Sequence, residues 1–371
     1  MINYWDSVYD QERIITQLKI ICETRRAPHA FIFSGKEGVG KFNVAVQFIK
    51  SLVKTVDPNI SDLTLKKISE LQEPFIKLIL PLPRGKGETS DDSGVERLTK
   101  ETIDEIQSEI KKKSFNPYHK ILIENANTIK ISSIREIGKF LTNSHNEDIP
   151  RFVIINDAHL MNDQSQNALL KNLEEPPPGI IFIIITSERD SLLPTIISRC
   201  RELNFQPLKI SSIEKVLVEH FAVDKKLAHK LSYLSEGSIS TALSLMNYDI
   251  DTTFEKTISI LRYSFAKRYQ TAISELNEFA NNNSTESLTF LLRMIRTWLV
   301  DAIKNRNLLN EYFFENFRDT FEKFNQRYHD IDLSIPFSRL ENLEKAIQRN
   351  INLNVLFLNI IFEISAVVKR V

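Results

Sequence analysis

The chain has 371 residues, 42% of them apolar, and its 48 basic side chains are balanced by 48 acidic ones. Such a length can bury several cores and predicts two or three domains, while zero net charge excludes a basic, tail-driven nucleic-acid binder. Two cysteines, Cys22 and Cys200, are too few for a disulfide framework or a four-cysteine zinc site. The first residues lack a signal-peptide pattern, and no apolar run nears the roughly 20 residues that span a bilayer. The expectation is a cytoplasmic protein with no membrane association.

In chain order, Ala30–Ser34, Arg151–Ile155 and Ile180–Thr186 read as buried strands, each a β-branched or aromatic run bounded by polar residues. A helix opens at Asn43–Leu52, and Thr99–Lys113 is helical with a solvated charged face. Thr128–Ile131 predicts a short strand leading into a helix over Ile134–Leu141. Gln164–Glu175 has apolar residues at helical spacing and is stopped by Pro176-Pro177-Pro178. Strands alternating with helices predict a mostly parallel sheet covered on both faces. Residues 57–116 interrupt the rhythm, and Pro81–Gly94, mixing breakers with charge, predicts a flexible surface insertion. Beyond Pro207 the pattern turns helical: Ser211–Phe221, Lys225–Ser235 and Ser238–Met246 form a small module. Long helices follow at Phe254–Phe265, Tyr269–Ala280, Thr285–Lys304, Glu311–Tyr328, Ser338–Asn350 and Leu353–Val368. Their many phenylalanines read as core.

Glycine is scarce, yet three of the nine fall in Gly35-Lys-Glu-Gly38-Val-Gly40-Lys41. This is P-loop spacing between a strand and a helix, where backbone N–H groups converge on phosphate and Lys41 reaches the β/γ-phosphates. The next residue should be Ser or Thr to hold Mg²⁺, but it is Phe42. The strand Phe152–Ile155 is followed by Asn156-Asp157, where a Walker B site wants an acid first to hold the metal and then a Glu. Two independent magnesium contacts are weakened together, which argues against efficient ATP hydrolysis.

In order, Pro28-His29-Ala30, the P-loop, Asn167-Ala-Leu-Leu-Lys-Asn-Leu-Glu-Glu-Pro-Pro177, Leu193-Pro-Thr-Ile196 and Ser198-Arg-Cys200 resemble the AAA+ clamp-loader subunits of bacterial DNA polymerase III. The motifs cover about residues 1–245. The resemblance implies an α/β P-loop NTPase (AAA+) module at 1–206, a small helical lid at 207–250 and an all-α oligomerisation collar at 251–371. It implies that Arg199 is an arginine finger given to a neighbour's ATP, stabilising transition-state charge. It places a sensor at Thr186 and a lid arginine at the position of Ser240, where Gly237-Ser-Ile-Ser240 has none. Phe42, Asn156 and Ser240 thus depart from the nucleotide site, whereas Gly35, Gly38, Gly40, Lys41, Asp157 and Thr186 remain.

A chain that keeps the finger and loses its own site is most similar to the delta-prime type. The implied partners are gamma/tau and delta subunits, the sliding clamp through the assembled complex, and primer–template DNA, weakly. The implied task, as part of the DNA polymerase III holoenzyme, is loading that clamp onto primed DNA. Lys130, Arg135, Lys139 and Lys171 are the candidates for facing DNA through phosphate contacts. No cofactor is expected. Zinc is excluded by the absence of cysteine from residues 50–115, and ATP or ADP binding stays open. The alternative is an ATP-hydrolysing gamma/tau-type subunit with an atypical nucleotide site.

Overall fold

The computed structural model describes residues 4–89, 92–142, 149–281, 285–309, 311–347 and 353–368. They fall into two compact units: Met1–Val223 with Glu236–Thr241, and Asp224–Ser235 with Ala242–Val371. Residues 207–250, expected as a lid, contribute to both.

The first unit opens with α1 (Glu12–Thr24), β1 (Ala30–Ser34), α2 (Lys41–Val56), α3 (Asp62–Ser69) and β2 (Ile76–Ile79). Then come α4 (Lys100–Phe115), α5 (Ile131–Thr142), β3 (Arg151–Ile155), α6 (Asp163–Glu174) and β4 (Ile180–Thr186). A single-turn α7 (Pro194–Ile197), β5 (Arg201–Asn204) and α8 (Ile210–Phe221) complete it. The strands form one parallel sheet in the order β2-β3-β4-β1-β5. Both sheet faces are covered, which is why β1 and β4 are buried along their whole length and read as unbroken apolar runs. Alternate residues divide the work. Ala30 and Ile32 join a core with Val153, Ile155, Ile184, Leu169 and Ile134, while Phe31 packs edge-on to Phe48 of α2, ring centroids 5.5 Å apart. Side-chain caps fix several helix starts: Ser61, Thr99 and Asn162 accept the N–H groups of Thr64, Thr102 and Ser165.

Several expectations change. Residues 128–131 form no strand; Ile129 makes a single parallel bridge to Met161, and α5 begins at Ile131. The bridge cannot extend because the partner side is a one-turn 3₁₀ helix, Ala158–Leu160. Pro81–Gly94 is tied down where it is described: Lys130 of the α5 approach pairs with Glu88 at 2.6 Å, and Glu136 accepts the Gly94 N–H. Strands β2 and β5 lie outside the expected set. Each is four residues long, and β5 (Arg-Glu-Leu-Asn) has only one buried side chain, so no apolar run announces it.

The second unit holds α9 (Lys225–Leu234), α11 (Ile250–Phe265), α12 (Tyr269–Asn281), α13 (Thr285–Arg306), α14 (Arg318–Arg327), α15 (Ser334–Ile347) and α16 (Leu353–Ala366); α10 (Ile239–Leu245) begins in the first unit. The phenylalanines are core, as in the contacts of Phe254 with Phe313 and Phe314. The expected helix over 311–328 starts only at Arg318. Ahead of it the Phe314 N–H donates to the buried Asp301 carboxylate, and a one-turn 3₁₀ helix, Glu315–Phe317, leads into α14. Helix α15 starts before Ser338, at Ser334, whose N–H and hydroxyl both donate to Asp332; positions 348–350 of that expectation lie outside the described residues.

Candidate functional site

Parallel strands bring their carboxyl ends to one edge, where ligand sites of open α/β sheets lie. Here that edge carries the glycine loop after β1, Asn156 and Asp157 after β3, and Thr186 at the end of β4. Gly35, Gly38 and Gly40 all have positive φ, at 139°, 76° and 94°. Space requires glycine too: a Cβ on Gly35 would stand 2.5 Å from the Phe205 carbonyl oxygen, and one on Gly38 would stand 2.2 Å from Ser238 Oγ. The loop is latched from the far side as well. Gly38 accepts the Ile239 N–H at 3.0 Å, and Lys36 pairs with Glu236 at 2.9 Å.

Lys41 folds back onto its own loop, its Nζ donating to the Gly35 and Lys36 carbonyls at 2.6 Å each. Burial pushes its pKa down to about 8, with Asp157 and Glu37 pulling the other way. Beside it, buried Phe42 lies in the first turn of α2. The Lys113 ammonium sits 4.9 Å from the centre of that ring and donates to the His119 carbonyl at 2.6 Å. Burial holds Lys113 near 8 also, again opposed by Asp157 and Glu37. An aromatic ring with an ammonium over it therefore stands next to the P-loop lysine. Such a group repels a divalent cation where a Ser or Thr hydroxyl would attract one.

After β3, Asn156 is buried and donates its Nδ2 to Asp157 Oδ2 at 2.7 Å. Burial raises the Asp157 pKa, against His159, Lys113 and Lys120, with Glu37 adding to the rise. Asp157 has φ 54°, a left-handed conformation few non-glycine residues adopt. Thr186 is fully buried and its hydroxyl accepts the Glu188 N–H at 3.1 Å. Ser240, at the lid-arginine position, lines the cleft and donates its hydroxyl to the Tyr118 carbonyl.

Tyr118 belongs to a feature that sequence reasoning missed. Residues 116–121 run across the glycine loop: Tyr118 is buried, its ring 3.6 Å from where a Gly40 Cβ would lie, and Lys120 pairs with Glu37 at 3.2 Å. Glu109 steadies this segment by accepting from the Leu122 N–H and the His119 ring. Burial alone would raise its pKa, but hydrogen bonds from Lys112, Leu122 and His119 prevail and hold it near 2. The open space left between Lys41, Phe42, Lys113, Tyr118, Asn156 and Asp157 is about 50 Å³, whereas small-molecule sites usually offer roughly 300–1,000 Å³. Asn116-Pro117 signals a turn, but nothing in that signal says where the turn packs.

Arg199 does not line this cleft. It follows α7, about a third exposed, with Nη1 donating to the Thr195 carbonyl at 3.0 Å and Nη2 paired to Glu174 Oε1 at 2.9 Å. Neighbouring Cys200 is half-buried, and burial pushes its thiol up to about 12, which makes it a poor nucleophile. Of the four DNA candidates, Lys130 is spent on the Glu88 pair and the Gly94 carbonyl. Arg135 and Lys139 are exposed on α5, and Lys171 is exposed on α6.

A parallel sheet in which β1, carrying a phosphate loop, lies between β4 and β5, followed by a helical unit, fits the AAA+ class of P-loop proteins. Within that class the chain belongs to the family of bacterial DNA polymerase III clamp-loader subunits: the family described as "DNA polymerase III, delta subunit" matches residues 10–128 and 124–209. Over 253 residues it is 27% identical to DNA polymerase III subunit gamma of Buchnera aphidicola, covering 67% of this chain and 59% of that protein. Over 242 residues it is 28% identical to subunit delta' of Bacillus subtilis, covering 64% and 60%. A DNA polymerase III gamma subunit-related protein from Thermotoga maritima superposes with a TM-score of 0.41 and 17% identity, over 96% of this chain and 99% of that one. The chain therefore spans less than two thirds of the length of these two curated relatives. Among the described residues no helix is long and apolar enough to cross a membrane.

Proposed function

We propose that the chain is a delta-prime-type, non-catalytic clamp-loader subunit that presents Arg199 to nucleotide held by a gamma/tau-type neighbour. The observation that carries this reading is the filled cleft. Lys113, Phe42 and Tyr118 occupy the space beside the P-loop, and Asn156 is neutral where a metal needs a carboxylate. The finger side is inexpensive to deploy. Its ion pair with Glu174 is surface-exposed and worth about 0–1 kcal/mol, whereas an arginine finger changes phosphoryl-transfer rates by roughly 10³–10⁵. In this reading the protein works in the cytoplasm with gamma/tau and delta subunits and, through the complex, the sliding clamp. Arg135, Lys139 and Lys171 would supply weak phosphate contacts to primed DNA.

The test is reconstitution with gamma/tau and delta subunits, followed by ATPase measurement. The chain alone should show no Mg-ATP turnover. Arg199→Ala should lower the ATPase of the assembled complex while leaving co-elution intact; undiminished ATPase would sink the finger assignment. A gamma/tau-type ATPase is the second reading, favoured by the intact Gly35–Lys41 loop. Turnover by the isolated chain that disappears in Lys41→Ala would establish it.

A further inference from the structure

The second unit contains a groove that the clamp-loader reading does not use. Helices α11, α13 and α14 wall an open cavity of about 780 Å³, within the size range of built ligand sites. Its floor is apolar and aromatic. Phe265, Trp298 and Phe324 form a ring triangle with centroid separations of 4.8–5.7 Å, and Tyr328 extends it 5.1 Å beyond Phe324. The Trp298 indole N–H is tied to Thr320 Oγ1 at 2.9 Å, so the floor is held in place. The rim has the opposite character. Arg262, Lys267, Lys323 and Arg327 line it and are exposed, against a single carboxylate, Asp319, which Lys323 already pairs at 3.1 Å.

We propose that this groove docks an acidic segment of another protein, with a leucine or aromatic side chain anchored over the Phe265–Trp298–Phe324 floor. Charge complementarity selects the partner: Arg262, Lys267 and Arg327, three cations beyond the Lys323–Asp319 pair, favour an anionic segment and disfavour a basic one. The floor selects a peptide over a nucleic acid. A polynucleotide backbone has no apolar anchor to seat there, whereas a peptide can carry one between its acidic side chains. A buried aromatic floor with a charged rim is the arrangement in which one central anchor carries affinity and the rim sets orientation and salt dependence.

The experiment uses the full chain with Trp5→Phe, so that Trp298 alone reports by fluorescence. The probe is a fluorescein-labelled twelve-residue peptide alternating aspartate and glutamate with leucine and phenylalanine. Controls replace its acids with lysine or its apolar residues with serine. We expect saturable binding by anisotropy, a shift in Trp298 emission, and at least about tenfold weakening in Lys323→Glu/Arg327→Glu, both exposed positions. Raising salt from about 0.05 to 0.5 M should weaken it similarly, since the Debye length shortens severalfold. No saturable binding, binding that the double variant leaves unchanged, or equal binding of the lysine peptide would each overturn the proposal. So would a concentration-dependent dimer abolished by the same variant, which would make a second copy the occupant. Displacement of the peptide by an equimolar single-stranded oligonucleotide would likewise overturn it.

Discussion

The P-loop cleft and the Arg199 corner stand on the same unit but spend their charges differently. In the cleft nearly every polar group is satisfied from within: Lys41 by its own loop, Lys113 by His119, Asn156 by Asp157, Ser240 by Tyr118. At the corner, one guanidinium rests on a helix carbonyl and one exposed carboxylate. Groups that close inward contribute to the fold. A group held by one solvent-exposed partner can exchange it for another at little cost. Substitutions should therefore cost stability at the cleft and almost none at the corner.

The largest effect should come from Gly38→Ala. It forces a side chain into φ 76° and drives Cβ onto Ser238 Oγ and the Ser240 backbone nitrogen; urea unfolding should show a loss of about 2–4 kcal/mol. Next comes the buried ammonium of Lys113. Its pKa is about 8 in the folded chain, below its ordinary 10.5, so burial penalises the charged form. Below pH 8 both folded and unfolded chains hold the proton and the penalty is full. Between pH 8 and 10.5 the folded chain has released a proton that the unfolded chain still binds, so stability rises with pH. The stability difference between wild type and Lys113→Met should shift toward wild type across that window, by at most about 3 kcal/mol. A flat difference would show that Lys113 titrates normally and is not enclosed.

Ser240→Ala removes one hydroxyl donor from the Tyr118 carbonyl and should cost about 1 kcal/mol in the same assay. Glu174→Ala, at the corner, should change stability by less than about 0.5 kcal/mol. If Glu174→Ala proved as costly as Gly38→Ala, the contrast between the two regions would collapse.

Much of the first unit is legible in its residues. The runs at 30–34, 151–155 and 180–186 match β1, β3 and β4 in full, because strands buried on both faces must be continuously apolar. Edge strand β5 escapes because one buried leucine in four residues makes no pattern. Residues 128–131 mislead because β-branched composition states a preference, while pairing requires an extended partner. At the site, the glycine loop, Phe42 and Asn156 can be read from motif spacing, whereas a role for Arg199 enters only through the family resemblance. The crossing of residues 116–121 over that loop cannot, since besides Lys113 and Glu109 of the preceding helix it depends on Ser240, which approaches from 122 residues away in the chain.

The latch of residues 236–240 on the glycine loop bears on how the molecule can be dissected. The chain leaves the first unit after Val223, returns for Glu236–Thr241 and leaves again, so no single cut yields that unit whole. A fragment ending at Val223 would lose the Ile239 donor to Gly38, the Glu236 partner of Lys36 and the Ser240 hydroxyl on Tyr118 together. Recombinant pieces meant to isolate the α/β unit must therefore carry the chain through Thr241. Protease cuts in the stretch 224–235 should leave two products that remain associated until denatured.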